Sequence, residues 1–458
     1  MDLKKRLASA YGSIEHYVNR PESAGSVLSE NFYLIQKAYR ETVRARGMNG
    51  RVFSECARYL GRNGNACEKQ SFFAFFEGAD FSFSEIYNIP AALNAALIIS
   101  AGEETAALAG GARCDMQRLT SSVISLHRVR DIRCEECFEK LCGAENILRA
   151  GAELYAQNDK RSKDMCREAV IRYARRRGTG EPEAASALCA QKGGLYAAAT
   201  GKTHKAAFFI SLFALFALFA GVTFYAFGFF AVFALPPLFL LSGTLCDRVF
   251  SRVVPPFAPL RLESDSDVAS ARTVVVYSTL LFGAEKDSSV FDELENAYLR
   301  NRSADAVFGV LGDFTDSKSE SSPDDAAIAA YAQKRISELN AAYGGRFALF
   351  LRGRSYNAAD KIWQGRERKR GAVCDLVKFI TEGKEVFTYS QNARLARGAS
   401  YLLTLDSDTV IPLDAVRRLT ATALHPANRP YLKDGRVVSG HAVFQPRMKT
   451  GLLQSFDT

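Results

Sequence analysis

From residue 206 to residue 245 the chain runs for 40 residues without one charged side chain. A membrane-spanning helix needs about 20 apolar residues. The length therefore suits two spans in a tight hairpin, with Gly221 or residues 225–228 as the turn. Lys202, His204 and Lys205 precede the run, and Arg248 and Arg252 follow it. Basic flanks at both ends favour the cytoplasmic side for both, as a hairpin requires. The other reading is a helical hairpin buried in a soluble core. The density of Phe and Leu and the lack of charge weigh against it. The run splits the chain into a helical region (1–200), the hairpin (206–245), a linker (246–270) and a final domain (271–458).

The first of these regions reads as all-α and cytoplasmic. Residues 26–46 place Leu28, Phe32, Leu34, Ile35 and Ala38 at near-helical spacing. Ser82 and Glu85 form a capping-box pattern that opens a further helix. Pro90 is expected to kink or restart that helix. More helices follow at 134–155 and 161–177, the second ending in Arg175-Arg176-Arg177 before Gly178. Cys134, Cys137 and Cys142 form the one cysteine cluster among ten scattered cysteines. A zinc site would want a second pair, so they read as reduced thiols on a helix. Asp2, Lys4, Lys5 and Arg6 lead into no apolar run, so no secretory signal is expected. The net charge of +9 suits anionic lipid or phosphorylated ligands. No basic run interleaved with aromatics forms a nucleic-acid platform, and nucleic acid is not an expected partner.

Beyond the linker, with its Pro255, Pro256 and Pro259 and the acidic Glu263, Asp265 and Asp267, the pattern changes class. Strands are expected at 273–279, 307–311, 346–351, 401–405 and 436–444, with helices between them. Strands alternating with helices specify a mostly parallel α/β sheet. In such sheets ligands bind beyond the carboxyl ends of the strands. Ser278, Asp313, Asp406 and Asp408 all fall at ends of that kind.

Tyr401-Leu402-Leu403-Thr404-Leu405 runs straight into Asp406-Ser407-Asp408. Period-2 geometry puts Asp406 and Asp408 on one side of an extended chain. There they can share a hard divalent cation, which can hold a diphosphate as leaving group; an Asx turn uses the same residues. Asp313 can accept hydrogen bonds from a base or ribose, or simply begin a turn. Residues 363–371 gather Arg366, Lys369 and Arg370 ahead of a helix. They can meet diphosphate oxygens, with Gly365 and Gly371 allowing close backbone approach, or form a solvated basic turn. Trp363, the sole tryptophan, suits stacking on a base or sugar, but core packing is the stronger reading.

Taken together these stretches resemble the glycosyltransferase part of the cyclic β-1,2-glucan synthases, membrane enzymes with a GT-A-type catalytic domain. The matching segments include Val274-Val275-Val276-Tyr277-Ser278-Thr279, Gly312-Asp313-Phe314-Thr315-Asp316, residues 363–371 and 401–409, and His425-Pro426-Ala427-Asn428-Arg429-Pro430. Asn31-Phe32-Tyr33-Leu34-Ile35 and Leu154-Tyr155-Ala156 carry it into the first half. The resemblance implies UDP-glucose as donor and a growing β-1,2-glucan as acceptor. It implies Mg²⁺ or Mn²⁺ on Asp406 and Asp408, Asp313 near the uridine and Lys369 near the diphosphate. It also implies a multi-pass protein of the bacterial inner membrane, in contact with lipid, with both flanking domains cytoplasmic.

Two departures from the family pattern stand out. Tyr277 replaces a usual proline. After the Asp pair the family carries an acidic catalytic base, a Gln-x-x-Arg-Trp motif and a phosphorylase-like domain, none of which is found before Thr458. The expectation is therefore the front part of a larger enzyme, with a separate chain as one possible source of the rest. The catalytic base stays unassigned. The contrasting expectation is a catalytically silent membrane protein that binds nucleotide-sugar or a partner subunit.

Overall fold

The computed structural model describes residues 3–18, 20, 23–45, 50–132, 135–191, 193–200, 205–254, 258–264 and 271–446. Cys134, Lys202, His204, Pro255, Pro256, Asp265 and Asp267 lie outside them. The chain divides into two compact units, one of residues 1–156 with 163–202, the other of 157–162 with 203–458.

The first unit is helical and is built on Phe83–Ala109. Ile86, Ile89, Leu93, Leu97 and Ile98 of this helix are all buried. A helix apolar all round belongs in a core. Ser82 and Glu85 cap it reciprocally: Glu85 N–H donates to Ser82 Oγ, and Ser82 N–H to Glu85 Oε2. Pro90 neither stops nor restarts it, since the helix continues unbroken to Ala109. Burial of Ile86, Ile89, Ala92 and Leu93 around it outweighs the one backbone hydrogen bond that proline removes. The helix expected over 26–46 is two, Ser23–Glu30 and Phe32–Arg44. Likewise 134–155 holds Glu135–Leu141 and Gly143–Gly151. Cys137 and Cys142 are buried, and burial pushes the Cys142 thiol up to about 12.

In the second unit the uncharged run forms helices Lys205–Phe227 and Leu235–Val253 around a 3₁₀ segment, Gly228–Ala234. Gly228 takes φ +56° at the break, a conformation glycine adopts at little cost, while Gly221 lies inside the first helix. Phe208 packs on Phe250 and Phe216 on Phe239, so the two helices lie antiparallel. The stretch Ala206–Val253 is long and apolar enough to cross a membrane, and almost none of it is buried.

Among the described residues nine strands follow: β1 Thr273–Leu281, β2 Ala306–Phe314, β3 Phe347–Arg352, β4 Ser355–Asn357, β5 Ile362–Gln364, β6 Tyr389–Gln391, β7 Tyr401–Asp406, β8 Tyr431–Lys433 and β9 Arg436–Ser439. Five make the main sheet, in the order β6-β3-β2-β1-β7. All its pairings are parallel except β3 with β6. Val275 and Tyr277 face a core with Phe291, Leu294 and Ile336 from helices Ala284–Arg300 and Asp325–Tyr343. Val274 and Val276 face the other way, onto Leu376 and Phe379 of helix Arg368–Glu382. Burial on both faces explains why β1 and β2 read as near-continuous apolar runs.

One expected strand is placed differently. Residues 436–444 do not join the main sheet; β9 pairs with β8 in a separate, exposed hairpin. Asp434 and Gly435 form its turn at φ +51° and +72°. Two successive left-handed residues are what a two-residue hairpin turn demands, and Asp-Gly supplies them.

Candidate functional site

The chain passes from β1 to β2 to β3, then returns across the sheet to add β7 on the far side of β1. Strand order thus reverses between β1 and β7. A crevice opens at such a point beyond the carboxyl ends of the strands. The parallel register sets Ser278 opposite Asp406 there, and Asp313 opposite Leu280 on one side and Arg352 on the other.

Asp406 closes β7 and is exposed, as is Asp408. The turn between them is tied by Thr409 N–H donating to Asp406 O at 3.0 Å. Tyr277, buried in the core, reaches this turn and donates its hydroxyl to Thr409 O at 3.1 Å. Tyr277 therefore braces the aspartate turn from below. Burial raises its phenol above the usual range, which keeps it a donor.

The basic turn reaches the same edge. Lys369 Nζ contacts Asp406 Oδ1. Arg366 donates to Asp375 Oδ1 at 2.9 Å. Arg370 is highly exposed and lies 3.6 Å from Glu367. Among the described residues Asp408 has no ion pair.

Beneath that turn lies Arg352, only 3% exposed. Its Nε and Nη2 donate to the two oxygens of Asp313, both at 2.7 Å. Its Nη1 donates to Asp375 Oδ2 at 2.9 Å. The same guanidinium holds two backbone carbonyls of the turn, Arg366 O at 3.2 Å and Arg368 O at 3.0 Å. Burial works against its charge, yet the hydrogen bonds it donates to Asp313 and Asp375 outweigh burial and hold it above its usual range. Glu367 and Arg368 sit at φ +52° and +51°. Non-glycine residues in that region carry strain that the surroundings must enforce, and Arg352 grips the carbonyls on either side. Gly365 and Gly371 serve this arrangement. A Cβ on Gly365 would lie 2.5 Å from Asp313 Oδ2, and one on Gly371 would lie 1.9 Å from Arg366 O.

Asp313 therefore lies inside β2, bound to Arg352, rather than at a free strand end. Arg352, Asp375 and the pair Arg368–Asp316, bidentate at 2.6 and 2.7 Å, were not anticipated from the sequence. The available signal was an arginine closing the apolar run Phe347-Ala348-Leu349-Phe350-Leu351, a charge that has to find partners indoors. Trp363 sits half-buried on the β4–β5 hairpin, 5.6 Å from the Tyr356 ring and backbone-paired with Ser317. Among the described residues no three His, Cys, Asp or Glu side chains gather as a metal cage. Two adjacent exposed carboxylates still fit Mg²⁺, which commonly takes one or two carboxylates and leaves its other positions to water and phosphate.

No family model matches the chain. Over 229 residues, 48% of its length, it is 36% identical to the cyclic beta-(1,2)-glucan synthase NdvB of Rhizobium meliloti (strain 1021). The match covers 8% of that relative's own length. The relationship read from the motifs rests on this similarity together with the order in which the motifs occur.

Proposed function

We propose that this chain is the donor-binding part of a membrane-bound glycosyltransferase of GT-A type, which moves glucose from UDP-glucose to a growing β-1,2-glucan. One juxtaposition carries the reading. Where strand order reverses, Asp406 lies across from Ser278 and in contact with Lys369 of the basic turn. Asp406 and Asp408 are the residues to hold Mg²⁺ or Mn²⁺, which when bound offsets the charge of a leaving diphosphate. Lys369, Arg366 and Arg370 stand at the amino end of helix Arg368–Glu382. Side-chain cations and unpaired helix amides there suit diphosphate oxygens. Asp313, oriented by Arg352, and Ser278 floor the crevice on the side assigned to the uridine. The antiparallel apolar helices are read as two spans of the bacterial inner membrane. The regions 1–200 and 271–458 are then cytoplasmic on either side of them.

Calorimetric titration of UDP-glucose into the full chain in detergent tests this directly. Binding is expected only with Mg²⁺ or Mn²⁺ present. Asp406→Ala and Asp408→Ala should each weaken it on the order of 100-fold, with the melting temperature unchanged because both side chains are exposed. Binding that ignores both substitutions, or is undetectable in the folded wild type, would refute the donor site.

A further inference from the structure

The cations of the basic turn are not equivalent. Arg366 is held by Asp375 at 2.9 Å, and Arg368 by Asp316 at 2.6 and 2.7 Å, both away from the aspartate pair. Arg370 lies nearest Glu367. Among the described residues only Lys369 pairs with Asp406, the carboxylate assigned above to the divalent cation. Both side chains of that pair are well exposed, 45% for Lys369 and 67% for Asp406. An exposed pair is weak, and lysine carries its charge on a flexible four-carbon stem. The backbone beneath is the fixed part. Arg352 grips Arg366 O and Arg368 O, and Lys369 follows in the first turn of helix Arg368–Glu382. The side chain is free to exchange partners while the turn that carries it stays in place.

An ammonium and a divalent cation repel each other and compete for one carboxylate. We propose that Lys369 couples the two halves of the donor site. It neutralises Asp406 until a nucleoside diphosphate arrives together with a divalent cation, then passes to the diphosphate and leaves Asp406 to the metal. This role rests on the donor-site reading and adds a requirement to it: the site selects the metal–nucleotide pair over either ligand by itself. A divalent cation by itself has to displace Lys369 from Asp406. A metal-free diphosphate that draws Lys369 away is left facing two bare carboxylates, Asp406 and Asp408. With both ligands present, the carboxylates meet the metal and the lysine meets phosphate. Each ligand then raises the affinity of the other by the same factor, as linkage requires.

Mn²⁺ binding to the full chain in detergent, read from the electron paramagnetic resonance signal of the free ion with and without UDP, tests this. In the wild type UDP should tighten Mn²⁺ binding about tenfold or more. Lys369→Met should tighten Mn²⁺ binding without UDP by roughly fivefold and cut the UDP enhancement by a similar factor. Lys369→Gln, which keeps a polar side chain, should do the same. Lys384→Met removes an equal charge beyond the other end of helix Arg368–Glu382 and should leave both values unchanged. Where UDP still enhances Mn²⁺ binding, a UDP-free affinity that is unchanged or weaker in both Lys369 variants overturns the coupling role and leaves the donor site standing. So does an affinity that rises equally in Lys384→Met. No UDP-dependent Mn²⁺ binding in the folded wild type overturns the donor site, and the coupling role with it.

Discussion

Replacing Arg352 by Met should lower the unfolding free energy of the sheet unit by about 3–5 kcal/mol. The size follows from what is left behind. Asp313 and Asp375 are both buried, and both lean on that guanidinium. Removing it strands Asp313 away from water and leaves Asp375 with Arg366 alone, which costs far more than the net worth of the pairs. The turn also loses its hold on Arg366 O and Arg368 O. Trp363, the only tryptophan, sits in this unit beside the turn, so its fluorescence in a urea titration reports the unit by itself. Adding Asp313→Asn to Arg352→Met should recover part of the loss, because one stranded charge disappears. A cost under about 1 kcal/mol would mean that water screens the cluster as it does a surface pair, and the bracing role would fall with it.

The second large effect concerns pH. His425 is fully buried, receives a hydrogen bond from Ala427 N–H on Nδ1, and lies 3.0 Å from Asn158 Oδ1 through Nε2. With Nδ1 accepting, Nε2 carries the proton and the ring is neutral. Burial lowers its pKa to about 4; Asp159 opposes the shift and Arg429 adds to it. The unfolded chain, with an ordinary value of about 6.5, takes up a proton that the folded chain refuses. Stability is therefore full above about pH 6.5 and falls as the pH drops toward 4. The total loss is about 3 kcal/mol, and it levels off below that. His425→Gln should flatten this slope in urea titrations read at Trp363. An unchanged slope in that variant would assign the pH dependence to other groups.

The fold was legible where local chemistry decides it. Val274-Val275-Val276 and Phe347-Ala348-Leu349-Phe350 declare strands by composition, and their doubly buried environment explains the missing alternation. Ser82 and Glu85 announced a helix start that the structure keeps. Legibility ended where distant segments meet. Asp313 and Asp375 lie 39 and 23 residues from Arg352 in sequence. Only the sheet topology makes them neighbours, so no spacing rule could pair them. The restart expected at Pro90 does not occur because buried neighbours such as Ile86, Ile89 and Leu93 hold the helix across the one lost hydrogen bond. The Asp434-Gly435 hairpin was readable from its dipeptide and was missed because Val437 and Val438 look like core. Of the candidate site residues, Asp406, Ser278 and Lys369 do converge, whereas Arg366 and Asp313 are engaged with Asp375 and Arg352.

The reversal of strand order has a consequence in chain entropy. The pairings of β1 with β2 and of β2 with β3 join strands that follow one another in sequence. The pairing of β1 with β7 must close the chain from Thr273 to Tyr401, and β7 is held along one side only. Closing a longer loop costs more, even though the cost grows slowly with length. The strand that brings Asp406 to Ser278 is thus the last parallel strand to be secured and the first to be released by local opening. Amides of Leu403 and Leu405, which face β1, should exchange with solvent faster than those of Val275 and Tyr277, which face β2; equal rates would show the sheet opening only as a whole. A variant that weakens the sheet loses its aspartate edge before it loses its core.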